Sequence, residues 1–369
     1  MVFDIAMFLQ GLLGSQKVNP LTQTQVTIVV GSAPNGGGSV PDIYVKGPYG
    51  HKLAHDSDTS RSNDEHLWEN QAQTFVMDNE LGIDLEQQVH QPQYVSLVTT
   101  RIDAICVSAI IVSGNSASYT WTGDMGQYCG AEWYESKFAF GNSNVPPKCV
   151  WLDQDHTNGI VASAVSLHMT DFTGGLLEQY QEKNAKGEDI GDARLCKNSA
   201  RMTFHHTWSY QNFKFFEQPL AFNGSGAFEE PDLGIDRQER AYPDGTYLPW
   251  KKASKAKRYH TRDLPNLNHS NFQPEHLTIS YLASHSARRL CESDTSRGPD
   301  FVAVNDDETL FCDMTLKQLV DVCDEAHSRG CFDLEKKEMR DVGMKLRRRD
   351  LSYSDVIPMK SYRTHAEWR

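Results

Sequence analysis

Apolar residues along this chain recur mostly at alternate positions or in short unbroken runs, punctuated by Gly, Pro, Asn and Asp, which is the signature of strands and turns. Gln25-Val-Thr-Ile-Val-Val-Gly31 and Asp42-Ile-Tyr-Val-Lys46 read as strands, joined by the turn-rich Ser32-Ala-Pro-Asn-Gly-Gly-Gly-Ser39. Residues 51–71, with His51, His55, Asp56, Asp58, Asp64, Glu65 and His66, are polar enough to read as an exposed loop. The strongest apolar run, Tyr94 to Ser113, is too long for one strand and breaks at Thr99-Thr-Arg-Ile-Asp103. Its second half, Ala104 to Val112, is apolar almost throughout and predicts a central strand buried on both faces. Shorter strands are expected at Tyr119–Trp121, Cys149–Leu152, Ile160–Met169 and Met202–Trp208.

Many short strands between turn signals predict a mainly β fold, an antiparallel jelly-roll-like sandwich over residues 21–208. Residues 209–275 carry six prolines without a periodic stretch and read as a connector rich in Pro and aromatics. From residue 276 to 369 the pattern predicts a smaller disulfide-linked subdomain with a basic tail and short helices at Thr315–His327 and Leu334–Arg349. In the first, Leu316, Leu319, Val320 and Cys323 fall at helical spacing. No internal repeat is visible.

The eight cysteines sharpen this division. Cys106, Cys129, Cys149 and Cys196 form one set and Cys291, Cys312, Cys323 and Cys331 the other, with none between Cys196 and Cys291. Even sets without Cys-x-x-Cys spacing predict structural disulfides, hence an oxidising, extracellular compartment. Pairing within each set leaves nine connectivities of the 105 that eight cysteines allow. Residues 1–20 read as a degenerate signal or leader helix: Ile5–Gly14 has the length of a secretory core, but Asp4 precedes it and no small-x-small site follows. No apolar stretch reaches the ~20 residues of a membrane span. With 49 acidic and 36 basic residues the net charge is -13, which argues against nucleic acid as a partner. Oligomeric state has no sequence signature.

Candidate chemistry concentrates in Trp151-Leu-Asp-Gln-Asp-His-Thr-Asn-Gly159. Asp153, Asp155 and Asn158 are spaced as oxygen ligands of a Ca2+ loop, although the distal bidentate Glu of an EF-hand is missing; the alternatives are a simple Asx turn or an acid-base pair. Asp124, Asp155, His156 and His168 are the candidate catalytic groups of a hydrolase. His205 and His206, adjacent in a strand, should point to opposite faces. Nucleophile elbows, zinc-protease helices, Walker loops and dinucleotide fingerprints are absent from the sequence. Glycosidases, whose two carboxylates leave no local signature, are not excluded by that. Tyr119, Trp121, Tyr128 and Trp133, with Asn142, form an aromatic and carboxamide cluster suited to stacking on sugars or docking on a protein, or else to core packing. Sequons at Asn223 and Asn268 fit secretion, and the basic runs 251–258 and 345–349 end in dibasic pairs.

Thr120-Trp-Thr-Gly-Asp-Met-Gly-Gln-Tyr-Cys-Gly-Ala-Glu-Trp-Tyr134, the 149–159 segment, and Leu310-Phe-Cys-Asp-Met314 with Cys331-Phe-Asp333 together resemble uncharacterised secreted proteins of filamentous fungi. That resemblance spans about residues 70–335 and implies extracellular location and disulfides, without an activity. More loosely, a strand ending in Thr100-Arg-Ile-Asp-Ala104, followed by an apolar strand and a Trp-rich turn, looks like jelly-roll sandwiches that bind lipids or sugars, often with calcium. The function expected is a secreted binding or host-interaction protein recognising a glycan or a protein surface. An extracellular hydrolase of a glycan or ester, and a structural surface protein, are the alternatives.

Overall fold

The structure, a computed structural model, describes residues 19, 22–57, 65–80, 91–114, 117–139, 145–172, 195–196, 198–216, 273–326, 328–340 and 360–369. The chain divides into two compact units, Met1–Lys252 and Ala253–Arg369. Both are built mainly of strands. In the first unit these are β1 (Gln23–Val30), β2 (Gly38–Ser39), β3 (Asp42–Lys46), β4 (Lys52–Asp56), β5 (His66–Leu67), β6 (Ala72–Asp78), β7 (Tyr94–Val98), β8 (Ile105–Gly114), β9 (Ala117–Thr122), β10 (Trp133–Tyr134), β11 (Cys149–Leu152), β12 (Ala164–His168) and β13 (Met202–His205).

One sheet has the order β10-β11-β8-β1-β6, with β9 paired to the second half of β8; the other has the order β13-β12-β7-β3-β4. Every pair is antiparallel. A single apolar cluster draws on alternate residues of both sheets: Val26, Ile28 and Val30 from β1, Ile43 and Val45 from β3, Val95 and Leu97 from β7, Val165 and Leu167 from β12. Two sheets meeting over one core make a β-sandwich, as the period of two requires.

Strand β8 changes phase midway. Its core residues are Ile105 and Val107, then Ile110 and Val112, because the register with β1 slips where Val29 faces Ala109 and Val30 faces Val107. Ser108 is the extra residue, and its hydroxyl donates to the Val29 carbonyl at 3.1 Å. A bulge thus lets an unbroken apolar run serve the core with both parities, and β8 is buried from Ile105 to Val112 as its composition predicts.

Two expectations need correcting here. Residues 51–71 are not all loop: Lys52–Asp56 pairs with β3, and Ala54 is fully buried. Residues 209–216 are not a loose connector either. They roof the outer face of the second sheet, with Trp208 against Tyr44 (ring centroids 4.5 Å apart), Lys46 Nζ donating to the Phe213 carbonyl (2.9 Å) and the Phe216 N–H donating to Tyr94 Oη (3.2 Å). Burial there pushes the Lys46 ammonium down to about 8, and Lys214 adds repulsion.

The second unit contains β14 (His276–Ser280), β15 (Asp300–Val304), β16 (Thr309–Asp313), β17 (Gln318–Asp321), β18 (Cys331–Asp333), β19 (Glu338–Arg340) and β20 (Thr364–Trp368). Its main sheet has the order β17-β16-β15-β14-β20 and is mixed: β14 runs parallel to both β15 and β20. The short helix Ala287–Glu292, capped by the Ser286 hydroxyl accepting from the Arg289 N–H, lies in the connection from β14 to β15.

The helix predicted over Thr315–His327 is replaced by a turn and β17. Asp313 Oδ1 accepts the N–H groups of Thr315 and Leu316, each at 2.9 Å, and Lys317 takes positive φ (53°). The chain is thereby folded back on β16, Val320 and Val322 enter the core at a spacing of two, and Leu316 is left at the exposed turn. The same hairpin recurs at Asp333–Lys337, where Asp333 Oδ1 accepts the Lys336 N–H at 3.0 Å and Lys337 has φ 55°. Phe311-Cys-Asp-Met-Thr-Leu-Lys317 and Cys331-Phe-Asp-Leu-Glu-Lys-Lys337 are thus two copies of one turn, a small repeat that sequence reading misses. Residues 334–340 likewise form turn and strand, and 341–349 lie outside the described residues.

All eight cysteines are paired, and within their sets: Cys106–Cys149, Cys129–Cys196, Cys291–Cys312 and Cys323–Cys331.

Candidate functional site

The loop after β11 is built around Asp153. Its Oδ2 accepts both the N–H and the hydroxyl of Thr157 at 2.8 Å, while Oδ1 is buried with no hydrogen-bond partner. Asp155 Oδ1 accepts the same Thr157 N–H at 3.3 Å. His156 and Asn158 take left-handed backbone conformations (φ 57° and 55°), and Gly159 follows at 74°. Asn158 Nδ2 donates to the Thr157 hydroxyl at 3.1 Å. Asp153, Asp155 and Asn158 therefore close an Asx-type turn on Thr157. Among the described residues no group of three or more His, Cys, Asp or Glu side chains is placed to hold a metal ion.

Burial, reinforced by the neighbouring Asp155, pushes the Asp153 carboxyl up to about 6, against the pull of its Thr157 hydrogen bonds. The folded state thus holds this proton more tightly than the unfolded chain. Stability falls as pH rises from about 4 to 6, and the whole penalty is present at pH 7. Asn at this position keeps an acceptor for Thr157 and removes the charge. Asp153→Asn is therefore expected to raise the melting temperature by about 2–4 °C at pH 7, the equivalent of roughly 1 kcal/mol after solvent screening, and to change it little at pH 4. A scan in which D153N gains as much at pH 4 as at pH 7 would contradict this assignment.

The other candidate catalytic groups lie elsewhere. Asp124, in the short helix Gly123–Tyr128, pairs with Lys148 Nζ at 2.9 Å. Lys148 immediately precedes β11 and Asp153 immediately follows it, so the partner of Asp124 and Asp153 stand at opposite ends of that strand, a backbone span of about 16 Å. His168 is buried at the end of β12, its Nδ1 2.8 Å from Asp171 Oδ2, and Arg201 donates to Asp171 Oδ1 at 2.6 Å. Tyr94 stacks on His168 (4.4 Å) and Phe216 meets it edge-on (5.5 Å). Burial pushes Asp171 up, but the charges and hydrogen bonds of His168 and Arg201 outweigh it and hold the carboxyl below the usual range. His205 and His206 do face opposite ways. His205 is buried against the Ser166 hydroxyl (2.8 Å), its imidazole pushed down to about 3 by burial, while His206 packs on His156 (ring centroids 3.9 Å apart). Desolvation, then the repulsion of His206, lowers the His156 imidazole as well.

The aromatic cluster also divides. Trp121 and Trp133 are core residues, 1% and 0% exposed, and Tyr119 is partly buried with Gln91 bonded to its hydroxyl; Tyr128 alone of the four is exposed, at 44%. Asn142 lies outside the described residues.

Loops at the start of β8, the end that also carries the Asp153 loop, present a large unburied indole. Trp68, just after β5, is 67% exposed, and Ile102, in the turn between β7 and β8, is 73% exposed. The Trp68 ring packs against His66 (centroids 4.3 Å apart), whose Nδ1 lies 3.4 Å from Asp103 Oδ2, so the two loops meet. Glycines let a third loop fit between them. A Cβ at Gly37 would stand 2.6 Å from the Leu67 carbonyl, and one at Gly38 2.5 Å from the Ala104 carbonyl. From below, Ser32 Oγ donates to Asn70 Oδ1 at 2.5 Å. Only residues without side chains fit at such an approach. Sequence reading placed Trp68 in an exposed loop without singling it out. The available signal was a lone Trp in a stretch made mostly of polar and charged residues.

No protein-family model matches the chain, and neither does any curated protein. Among solved structures, "Crystal structure of Delta413-417:GS LOX" and the anaerobic structure of the same LOX in complex with arachidonate are each similar at 12% identity and a TM-score of 0.22. Each alignment covers 27% of this chain and only 14% of that chain. A likeness this slight carries no argument about fold or function. The class that the architecture itself defines is a mainly β, disulfide-bonded protein. Among the described residues no helix is long and apolar enough to cross a membrane.

Proposed function

We propose that this is a secreted, disulfide-bonded binding protein that recognises a glycan through the loop end of its sandwich, with Trp68 as the stacking platform. The observation that carries the reading is the 67% exposure of Trp68 on loops braced by Gly37 and Gly38. A large aromatic left in water on a rigid support has its desolvation still to gain, and its face suits the C–H surface of a sugar ring. His66, Asp103 and Asn70 beside it supply the polar partners that fix a sugar's hydroxyls. The four disulfides fit an oxidising location. A hydrolase is less well supported, because Asp153 and His168 are buried and already engaged in holding their own loops.

The test is a glycan array probed with the wild-type protein and with Trp68→Ala. Since the side chain is mostly exposed, the variant should melt within about 1 °C of wild type, as surface changes usually cost little. It should lose ten-fold or more in affinity for whichever glycan the wild type retains, on the order of 1.4 kcal/mol. Unchanged array signals in the folded variant would remove Trp68 from the site and with it this reading.

A further inference from the structure

Two carboxylates and one lysine meet inside the second unit. Asp300, at the start of β15, and Asp313, at the end of β16, are both 0% exposed. Lys360 Nζ, on the segment leading into β20, lies 2.8 Å from Asp300 Oδ2 and 2.6 Å from Asp313 Oδ1. The two oxygens of Asp313 differ sharply. Oδ1 accepts the N–H groups of Thr315 and Leu316 at 2.9 Å each, whereas Oδ2 is buried and has no hydrogen-bond partner. Asp300 is anchored by the Met314 N–H on Oδ1 (2.8 Å) and by the Tyr362 hydroxyl on Oδ2 (2.8 Å).

We propose that this unit closes its C-terminal strand covalently, by an intramolecular amide between Lys360 Nζ and the side-chain carbonyl carbon of Asp313. The reactants are already in place. An Nζ that touches Oδ1 at 2.6 Å is less than about 4 Å from the carbon, one C–O bond further on, close to the separation of a near-attack pair. Asp300 takes a proton from the Lys360 ammonium and frees the nitrogen lone pair, which attacks the Asp313 carbon. Charge that develops on Oδ1 falls on the two backbone N–H groups, an arrangement equivalent to an oxyanion hole. Oδ2, with no bond to hold it, receives the proton carried by Asp300 and a second from the attacking nitrogen, and leaves as water. One N–C bond forms and one C–O bond breaks. The three ammonium protons end as one amide hydrogen and two on water, and Asp300 returns to its starting state, so no co-reactant is required.

The surroundings favour the exchange. Burial first, and then the nearby Asp313 charge, raise the Asp300 carboxyl against the attraction of Lys360, so it holds a transferred proton better than a free aspartate. The product also answers a structural need. Among the described residues strand β20 lies at the sheet edge, paired with β14; it brings Trp368 into the core, and the unit is small enough to profit from staples beyond its two disulfides.

Peptide mapping of the full-length native protein after disulfide reduction tests this directly. The expected result is one branched species joining the Asp313 and Lys360 peptides, lighter by one water than their sum, with Lys360 resistant to trypsin. Lys360→Arg keeps the charge but cannot form the link, and should return both peptides as linear species. Asp300→Asn, with its four disulfides intact, should leave most of the protein unlinked. Quantitative recovery of linear Asp313 and Lys360 peptides from the wild type would overturn the cross-link, and full linkage in D300N would overturn the proton relay.

Discussion

Asp171→Ala is expected to destabilise the first unit by about 3–5 kcal/mol, the cost of breaking a buried ion pair from one side. Asp171 and Arg201 are 0% and 1% exposed, and the carboxylate holds the guanidinium with one oxygen and His168 with the other. Removing it takes the carboxylate away from a guanidinium that is 1% exposed, at the junction of β12 with the turn leading to β13 and under the aromatic roof of Tyr94 and Phe216. The folded carboxyl titrates below its ordinary value of 3.8. Its contribution is therefore fully present above about pH 4 and is lost as pH falls through the depressed folded value. Urea titrations at pH 7 and pH 3 read both statements. The gap between wild type and D171A should be large at pH 7 and should narrow at pH 3; a gap under about 1 kcal/mol at pH 7 would show that the network does not hold the loop.

How far the sequence revealed the molecule depends on which physical signal was local. Strand positions such as Asp42–Lys46 and Cys149–Leu152 coincide with their predicted bounds, because period-two patterning and flanking Gly or Pro are read off a few residues. The break at Thr99–Asp103 is real for the same reason. Errors arise where a distant partner decides. Lys52–Asp56 is too polar to announce a strand, yet β3 offers it a ladder. Thr315–His327 has helical spacing on paper, but the Asp313 carboxylate captures two backbone N–H groups first and Lys317 accepts a left-handed turn. For the site, the Asp153 loop was legible as a turn with unusual chemistry, since its capping is local. The splitting of Asp124, Asp155 and His168 was not, because burial and pairing depend on Lys148, Arg201 and Asp171 arriving from other elements. Trp68 shows the limit most plainly: the polar stretch around it marks a surface segment, but the exposure of one residue depends on what fails to cover it in space.

The second large effect concerns Cys106–Cys149. This bridge joins β8 to β11, neighbours in the first sheet, with both residues fully buried, and it closes a loop of 43 residues. Chain entropy alone assigns about 4 kcal/mol to a loop of that length, so the Cys106→Ala/Cys149→Ala double variant should lose 2–5 kcal/mol. The expected signature is a large fall in the denaturant midpoint with a steeper transition, because the unfolded chain without the bridge exposes more surface. The packing around the bridge gives an independent check. Gly31, where β1 leaves the sheet, passes so close that a Cβ there would stand 2.5 Å from Cys149 Cβ and 2.6 Å from its sulfur. Gly31→Ala should therefore destabilise the protein while the disulfide is present, since sulfur and strand both resist displacement. In the double-alanine background the sulfur contact is gone while the 2.5 Å approach to the residue 149 Cβ remains, so the same substitution should cost somewhat less, by the share the sulfur contributes. A thermodynamic cycle over the four proteins measures the coupling between Gly31 and the bridge. Strict additivity would mean that the sulfur adds nothing to the crowding at Gly31, which the Cβ contact alone then sets.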